Sequence, residues 1–211
     1  MKNKSVRVKT AKGRKISSSN WLHRQLNDPY VQQANADGYR SRAAYKLLEI
    51  DKKHSILQNQ DTVIDLGSSP GSWSQVASKK CRKVIAIDLL AMPPIENVEF
   101  IQGDFLDCYA QITKLISHSD VILSDISPAT CGHTSTDHIR IINLANEVLK
   151  LSKTILKVGG HVVTKIFHGH GSAQLCEEFK KYFKKVKYYK PNSSRQESSE
   201  IYLVATTFLG C

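Results

Sequence analysis

The feature that most constrains the fold is the alternation of short apolar segments with longer amphipathic ones from residue 62 onward. Strands separated by helices of this length predict βαβ units and a parallel sheet, so the chain is expected to be an α/β protein. The strand-like segments are rich in β-branched residues and cover 62–66, 83–88, 98–102, 121–125 and 161–167. The helical stretches between them lie near 72–78, 107–117, 136–156 and 171–183.

The two ends of the chain depart from this alternation. Residues 186–190 and 201–208 are extended runs with no helix between them, which predicts an antiparallel hairpin at the edge of the sheet. Residues 30–50 are predicted to form one helix, because Ala43, Ala44, Leu47 and Leu48 recur at helical spacing. We therefore expect a single domain over residues 29–211, preceded by an extension of residues 1–28.

The N-terminal extension is strongly basic. It contains no acid up to residue 27, has little apolar content and shows no clear helical period, so we expect it to stay mobile until it binds a polyanion such as RNA. A solvated tail and a mitochondrial targeting peptide, which is also poor in acids, are the alternatives. Its basic residues are Lys2, Lys4, Arg7, Lys9, Lys12, Arg14, Lys15 and Arg24.

The composition narrows the class of protein. The chain has 211 residues and a formal net charge of +11, which is typical of proteins that bind nucleic acid, although positive charge also serves solubility alone. No segment approaches the roughly 18 apolar residues of a membrane span, and no secretory signal is visible. The five cysteines form no C-x-x-C pair, which argues against a disulfide framework or a cysteine zinc site. We expect a cytoplasmic monomer with no metal and no membrane partner.

A loop of very small residues follows the first strand, in the segment VIDLGSSPGSW at residues 63–73. Small residues such as Gly67 and Gly71 let a ligand approach the backbone beyond the carboxyl end of a strand. Asp88 ends the next strand, where a carboxylate suits the hydroxyls of a ribose, and Asp104 follows the third, where it suits an adenine amino group. Each acid alone could be a cap or turn residue. Together they favour a nucleoside cofactor, and S-adenosylmethionine fits better than NAD because the dinucleotide pattern of glycines is missing.

Four further polar residues stand out against apolar surroundings. Asp125 ends the fourth predicted strand, Lys165 lies inside the fifth, Glu200 begins the last, and Lys46 lies in the early helix. A lysine in a strand of a covered parallel sheet is costly unless it is paired or functional, although it could also reach solvent from the strand end.

These features resemble the RrmJ/FtsJ family of ribose 2′-O-methyltransferases, and specifically its bacterial branch that acts on large-subunit ribosomal RNA. The resemblance extends over nearly the whole chain. It is carried by YVQQANADGYRSRAAYKLLEI, DLGSSPGSWSQ, AIDLLAMPPI, FIQGDF, SDISP, VVTKIFHG and SSEIYLVA, in this order. It implies a Rossmann-like S-adenosylmethionine-dependent methyltransferase fold, with a mostly parallel seven-stranded sheet and a C-terminal antiparallel hairpin.

The resemblance also implies the site residues. A Lys-Asp-Lys-Glu catalytic set falls on Lys46, Asp125, Lys165 and Glu200, and cofactor contacts fall on Gly71, Trp73, Asp88, Asp104 and Asp125. Lys165 is expected to be the general base, Asp125 its partner near the methyl group, and Lys46 and Glu200 positioning residues. The chain has Ser72 where the family often has a second glycine, and serine is small enough to keep the loop working. It has Ala129 where the family often has asparagine, so we expect any difference to affect how the target nucleotide is held.

The implied substrate is a uridine of 23S ribosomal RNA on the large ribosomal subunit. Because every nucleotide carries the same ribose, selection must come from RNA shape and flanking contacts, with the extension and residues 40–46 binding phosphates. Lysines between residues 180 and 190 are expected to be mainly a solvated face. A tRNA or mitochondrial ribosomal RNA methyltransferase and a non-catalytic ribosome assembly factor are the alternatives.

Overall fold

A seven-stranded sheet organises the chain, which a computed structural model describes over residues 16–128, 132–169 and 171–211. Its strands are β1 (Thr62–Leu66), β2 (Lys83–Asp88), β3 (Val98–Gln102), β4 (Ser119–Ser124), β5 (Leu156–Phe167), β6 (Phe183–Tyr189) and β7 (Glu200–Phe208). They lie in the order β3-β2-β1-β4-β5-β7-β6. The first five are parallel to one another, and β7 is antiparallel to both β5 and β6. The mostly parallel sheet with a C-terminal antiparallel hairpin is therefore confirmed.

Helices cover both faces of this sheet. They are α1 (Ile16–Asn27), α2 (Pro29–Ala36), α3 (Ala43–His54), α4 (Ser72–Ser78), α5 (Tyr109–Leu115), α6 (Thr134–Ile155) and α7 (Ser172–Lys180). Apolar side chains of α3 and α4 pack on one face, and those of α5, α6 and α7 pack on the other. Every residue of β1 is buried, because helices cover both faces of this central strand.

The N-terminal region differs from its prediction in two places. Residues 30–50 form two helices, because the chain turns at Gly38, whose φ of 75° is a left-handed conformation that glycine adopts readily. The prediction of one helix was therefore wrong. Residues 16–27 form α1, although no helical period was recognised there. Residues 1–15, which carry most of the basic side chains of the extension, lie outside the described residues.

Strand and helix bounds agree closely elsewhere. β1, β2, β3 and α4 have the predicted ends, whereas β5 begins at Leu156 rather than at residue 161 and β4 ends at Ser124 rather than at residue 125. Among the residues that the structure describes, no helix combines the length and apolar character that a membrane span requires.

The strand order fixes where a ligand can bind. Consecutive strands run outward from β1 through β2 to β3, and the chain then returns to place β4 on the other side of β1. Such a reversal leaves a crevice beyond the carboxyl ends of the strands, which is where ligands of open α/β sheets bind. The predicted site residues of β1, β2 and β4 all lie at this edge.

Candidate active site

The antiparallel direction of β7 is what brings the four predicted catalytic residues together. Lys165 lies close to the carboxyl end of β5, and Asp125 directly follows β4. Because β7 runs in the opposite direction, its first residue, Glu200, pairs with Phe167 at the same edge of the sheet. Lys46 lies on α3, which packs on one face of the sheet. Residues far apart in sequence therefore meet beyond the carboxyl ends of the parallel strands.

Lys165 and Asp125 form the buried centre of this group. The Lys165 Nζ lies 3.2 Å from the Asp125 Oδ1 and donates a hydrogen bond of 2.6 Å to the Asp125 main-chain oxygen. The lysine side chain is only 7% exposed, so it does not reach solvent in the way that a strand-end lysine could. A buried lysine held by a carboxylate and a carbonyl has a fixed position, which is a requirement for a catalytic group.

Tyr202, which was not predicted from the sequence as a site residue, is the direct neighbour of Lys165 across the β5–β7 pairing. Its hydroxyl donates a hydrogen bond of 2.8 Å to the Asp125 Oδ1, and its ring lies 5.5 Å from that of Trp73. Tyr202 thus fixes the same carboxylate oxygen that faces Lys165. The Lys46 Nζ lies 5.8 Å from the centre of the Tyr202 ring and 2.6 Å from the Glu200 Oε1.

The electrostatics of the group favour an ionised aspartate. Burial raises the pKa of Asp125, but the charges of Lys165 and Lys46 and the hydrogen bond from Tyr202 together lower it below its ordinary value. The pKa of Tyr202 is raised well above its usual range by burial and by the nearby carboxylates of Asp125 and Glu200. The tyrosine therefore stays a neutral donor, and the aspartate stays a charged acceptor at neutral pH.

The loop between β6 and β7 is fastened to α3, and this attachment positions Glu200. The carboxylate of Glu49 accepts hydrogen bonds from the backbone N–H groups of Asn192 at 2.6 Å and Ser193 at 2.9 Å. The hydroxyl of Ser194 then donates to the Glu200 Oε1 at 3.1 Å. Helix α3 thus holds both partners of the Lys46–Glu200 ion pair, one directly and one through the loop.

The small-residue loop after β1 adjoins this group, and Arg40 joins it to the β2–β3 connection. The Arg40 guanidinium donates to the main-chain oxygens of Pro70, Pro93 and Pro94 at 2.8 to 2.9 Å. Gly71 has a φ of 109°, and a Cβ there would lie 2.6 Å from the Arg40 Nη1. A side chain at this position would strain the backbone and displace the Arg40 guanidinium.

The predicted cofactor-binding residues lie around this loop, and most also have structural contacts. Asp88 accepts backbone hydrogen bonds from Ser69 and Leu90, each at 2.8 Å, and Asp104 accepts one from Leu106 at 3.0 Å. Trp73 is buried and its indole N–H donates to the Ala43 main-chain oxygen at 2.8 Å. A Cβ at Gly67 would lie 2.8 Å from Ile126, so only glycine fits there.

Asp65, a further acid at this edge of the sheet, was also not predicted from the sequence as a site residue. It is completely buried, and its Oδ2 accepts a hydrogen bond of 2.6 Å from Ser74. Its Oδ1 has no hydrogen-bond partner among the described residues. Burial is the main cause that raises the pKa of Asp65 to about 7, the charges of Asp125 and Asp88 act in the same direction, and the hydrogen bond from Ser74 opposes them. Three carboxylates therefore face one small region, and an incoming cation would relieve their mutual repulsion.

Within residues 16–128, 132–169 and 171–211, no group of three or more histidine, cysteine, aspartate or glutamate side chains could hold a metal ion. Ala129 lies outside the described residues. The side chains that meet at the site are an aspartate, two lysines, a glutamate and a tyrosine, beside the loop of small residues.

This chain is similar in sequence to proteins of a known family. Residues 39–208 match the model of the FtsJ-like methyltransferase family. Proteins named ribosomal RNA large subunit methyltransferase E are 52% identical in Wolbachia sp. subsp. Brugia malayi (strain TRS) and 48% identical in Rickettsia rickettsii (strain Sheila Smith). Each alignment covers 97% of this chain and 95% of the relative.

Solved structures show the same architecture. A crystal structure of a protein described as a ribosomal RNA methyltransferase from Plasmodium falciparum has a TM-score of 0.73 and 34% identity, covering 82% of this chain and 100% of that one. A Streptococcus mutans methyltransferase in complex with SAH is 14% identical with a TM-score of 0.52, covers 79% of this chain and 96% of that one, and shows the fold alone. From its family match and its relatives, this chain belongs to the FtsJ-like methyltransferase family.

Proposed function

We propose that this protein transfers a methyl group from S-adenosylmethionine to the 2′-hydroxyl of a uridine in the ribosomal RNA of the large subunit. The observation that carries the proposal is the buried Lys165–Asp125 pair, with Tyr202 on the same carboxylate and the Lys46–Glu200 pair beside it. The names of the relatives support ribosomal RNA as the substrate. The cytoplasm, where ribosomes are assembled, is the compartment that we propose.

The residues around the β1 loop fit a cofactor that is both a nucleoside and a cation. Three carboxylates adjoin the loop, and one of their oxygens, on the buried Asp65, lacks a partner among the described residues. Leu89, Leu90 and Leu106 are exposed aliphatic side chains that follow Asp88 and Asp104, and they could cover an apolar base. We propose that S-adenosylmethionine is held by Gly67, Gly71, Trp73, Asp88, Asp104 and Asp125. When bound, it supplies a methyl group activated by a sulfonium.

The remaining task of the protein is to orient the hydroxyl and remove its proton. In this proposal the Lys165 Nζ, fixed by the two contacts to Asp125, receives the proton of the 2′-hydroxyl. A lysine accepts a proton only as the neutral amine, so in this proposal Lys165 must lose its own proton before methyl transfer begins. Asp125 and Tyr202 hold the position of Lys165, and Lys46 with Glu200 position the ribose beside it.

Methyl transfer to defined RNA substrates tests this proposal. The protein is incubated with tritiated S-adenosylmethionine and unmodified large ribosomal subunits, beside free ribosomal RNA and tRNA. Lys165→Ala is compared with Lys157→Ala, which removes a lysine from an exposed ion pair on the same strand. We expect label on large-subunit RNA with wild type and Lys157→Ala, and none with Lys165→Ala.

The other outcomes of this assay discriminate between the alternatives. Label on tRNA alone would retain the chemistry and replace the substrate. Cofactor binding without transfer to any RNA would favour an assembly factor that has no catalytic activity.

A further inference from the structure

A second basic surface lies where the end of α3 meets β6, the edge strand of the sheet. In an antiparallel pair, directly opposed residues share a face, and Lys185, Lys187 and Tyr189 oppose Thr206, Val204 and Tyr202. This is the face on which α3 packs. The last turn of α3 adds exposed lysines to the same region. We call Lys52, Lys53, Lys185, Lys187 and Tyr189 the α3–β6 surface.

The lysines of this surface differ from those of the neighbouring helix α7. Lys180 and Lys181 each form an ion pair with a glutamate three residues earlier, at 2.7 and 2.5 Å. By contrast, Lys185 and Lys187 are exposed and form no ion pair with any acid of the described residues. Glu49 of α3 lines the same groove as Tyr189, and its carboxylate accepts two backbone hydrogen bonds from the β6–β7 loop. With four lysines and this one acid, the region around the α3–β6 surface has a net positive charge.

An aromatic ring stands among these charges. The Lys53 Nζ lies 4.6 Å from the centre of the Tyr189 ring, and the His54 ring meets Tyr189 edge-on at 5.6 Å. Burial, together with the charges of Lys53, Lys185 and Lys187, lowers the pKa of His54, so this histidine is neutral and adds no charge. Beside Tyr189 lies a groove of about 400 Å³, lined by Tyr30, Glu49, Lys52, Lys53, Tyr189 and Asn192.

The surface lies close to the candidate active site, on the same face of the sheet. Tyr189 is the cross-strand partner of the buried Tyr202, and such partners lie about 5 Å apart. On α3, Lys46 and Lys53 are separated by about two helical turns and lie on one side, with Glu49 between them. An RNA strand whose reacting sugar lies at Lys165 would therefore have this surface nearby.

We propose that the α3–β6 surface binds single-stranded RNA next to the methylated nucleotide, with lysines contacting phosphates and Tyr189 stacking on a base. Lysines around a partly exposed aromatic ring are the combination that single-stranded nucleic acids require. The inference rests on the proposed function for the identity of the RNA. It separates two of the lysines between residues 180 and 190, which the sequence suggested were a solvated face, from the rest: Lys185 and Lys187 bind RNA, whereas Lys180 and Lys181 are paired with glutamates.

Equilibrium binding of a fluorescent single-stranded oligouridylate to the full-length protein, over a series of salt concentrations, tests this surface. The variant Lys185→Ala/Lys187→Ala is compared with Lys180→Ala/Lys181→Ala, which removes the same charge from the same part of the sequence. Each phosphate contact with a single strand contributes about 0.7 to the slope of log affinity against log salt. We expect the β6 variant to lose about 1.4 from the slope and to bind about tenfold more weakly near 0.15 M salt.

The matched variants make the outcome decisive. The α7 variant should bind within about twofold of wild type, because its lysines are already paired. Tyr189→Leu should weaken binding about tenfold with an unchanged salt slope, because stacking releases no counterions. Equal binding by all variants, or equal weakening by the two lysine variants, would refute the inference. Retained RNA affinity with a selective loss of binding to phosphatidylserine vesicles would also refute it and would indicate a membrane surface.

Failure of this inference can be separated from failure of the proposed function. The binding assay requires no methyl transfer, so wild-type protein that binds through this surface and methylates no RNA would contradict the proposed function alone. Wild-type protein that methylates large subunits, with unaltered binding by the β6 variant, would contradict the surface alone.

Discussion

Replacing Lys165 with methionine separates the catalytic role of this lysine from its structural one. The variant keeps an unbranched side chain of similar length but removes the 3.2 Å ion pair with the Asp125 Oδ1 and the 2.6 Å hydrogen bond to its main-chain oxygen. Loss of one partner from a buried pair costs roughly 3–5 kcal/mol, since the other charge is left without compensation. Here the Tyr202 hydroxyl and the charge of Lys46 still stabilise Asp125, so we expect a loss of about 3 kcal/mol in the free energy of unfolding.

The effect on the reaction should be larger and independent of stability. General base catalysis contributes roughly a hundredfold to ten-thousandfold, so the single-turnover rate of Lys165→Met should fall by at least about a hundredfold. In the double variant Lys165→Met/Asp125→Leu, an apolar pair replaces the ion pair, and most of the lost stability should return. Activity should stay absent, because the base is still missing.

Urea unfolding and single-turnover methyl transfer with enzyme in excess measure these two quantities. Lys157→Met is the matched control, because it breaks an exposed 2.7 Å ion pair with Asp120 on the same strand. That change should cost at most about 1 kcal/mol and leave the transfer rate unaltered. A folded Lys165→Met that retained more than a tenth of the wild-type rate would refute the role of Lys165 as base.

Three further changes test other parts of the site. Tyr202→Phe keeps the ring but removes the 2.8 Å hydrogen bond to Asp125, so single-turnover transfer should slow about tenfold or more, and an unchanged rate would argue against a role for this hydroxyl. In the folded protein the pKa of Asp65 is raised from 3.8 to about 7, so the folded state binds the extra proton and wild-type stability should fall as pH rises from about 4 to 7. Asp65→Asn should flatten this dependence in urea unfolding, and an unaltered slope would contradict the assignment. Glu49→Ala frees the N–H groups of the β6–β7 loop, so the KM for RNA should rise severalfold while cofactor affinity, measured by calorimetry, is retained.

Much of the fold followed from the sequence, because burial on both faces leaves a clear pattern. β1 and β2 had the predicted ends, since each is a short and mainly apolar run with buried residues on both faces. The edge strand β3 also had the predicted ends, although its Glu99 and Gln102 are exposed. The break between α2 and α3 was not predicted, although the Asp37–Gly38 pair is typical of a turn. The helical spacing of apolar residues after Gly38 was extended wrongly to the residues before it. Local signals were therefore sufficient for strands, and insufficient for a turn between helices.

The candidate site was predicted only where a residue contrasted with its neighbours. Lys165 and Asp125 stood out as charges in apolar segments, and the structure brings them together. Tyr202 did not stand out, because a tyrosine in a strand is usually part of the core. Its contact with Asp125 depends on the pairing of β7 with β5, which no local pattern reveals. The assignment of Asp88 and Asp104 to a cofactor stays a prediction, because each also binds neighbouring backbone N–H groups.

The position of the transferred methyl group shows whether this protein methylates a ribose 2′-oxygen or a base. Large-subunit RNA labelled by the wild-type protein is digested with alkali and, in parallel, to nucleosides for mass spectrometry. A methylated 2′-oxygen cannot attack the adjacent phosphate, so the account predicts label in an alkali-resistant dinucleotide and a single new nucleoside, 2′-O-methyluridine. Label in a base-methylated nucleoside, released by alkali as a mononucleotide, would contradict it.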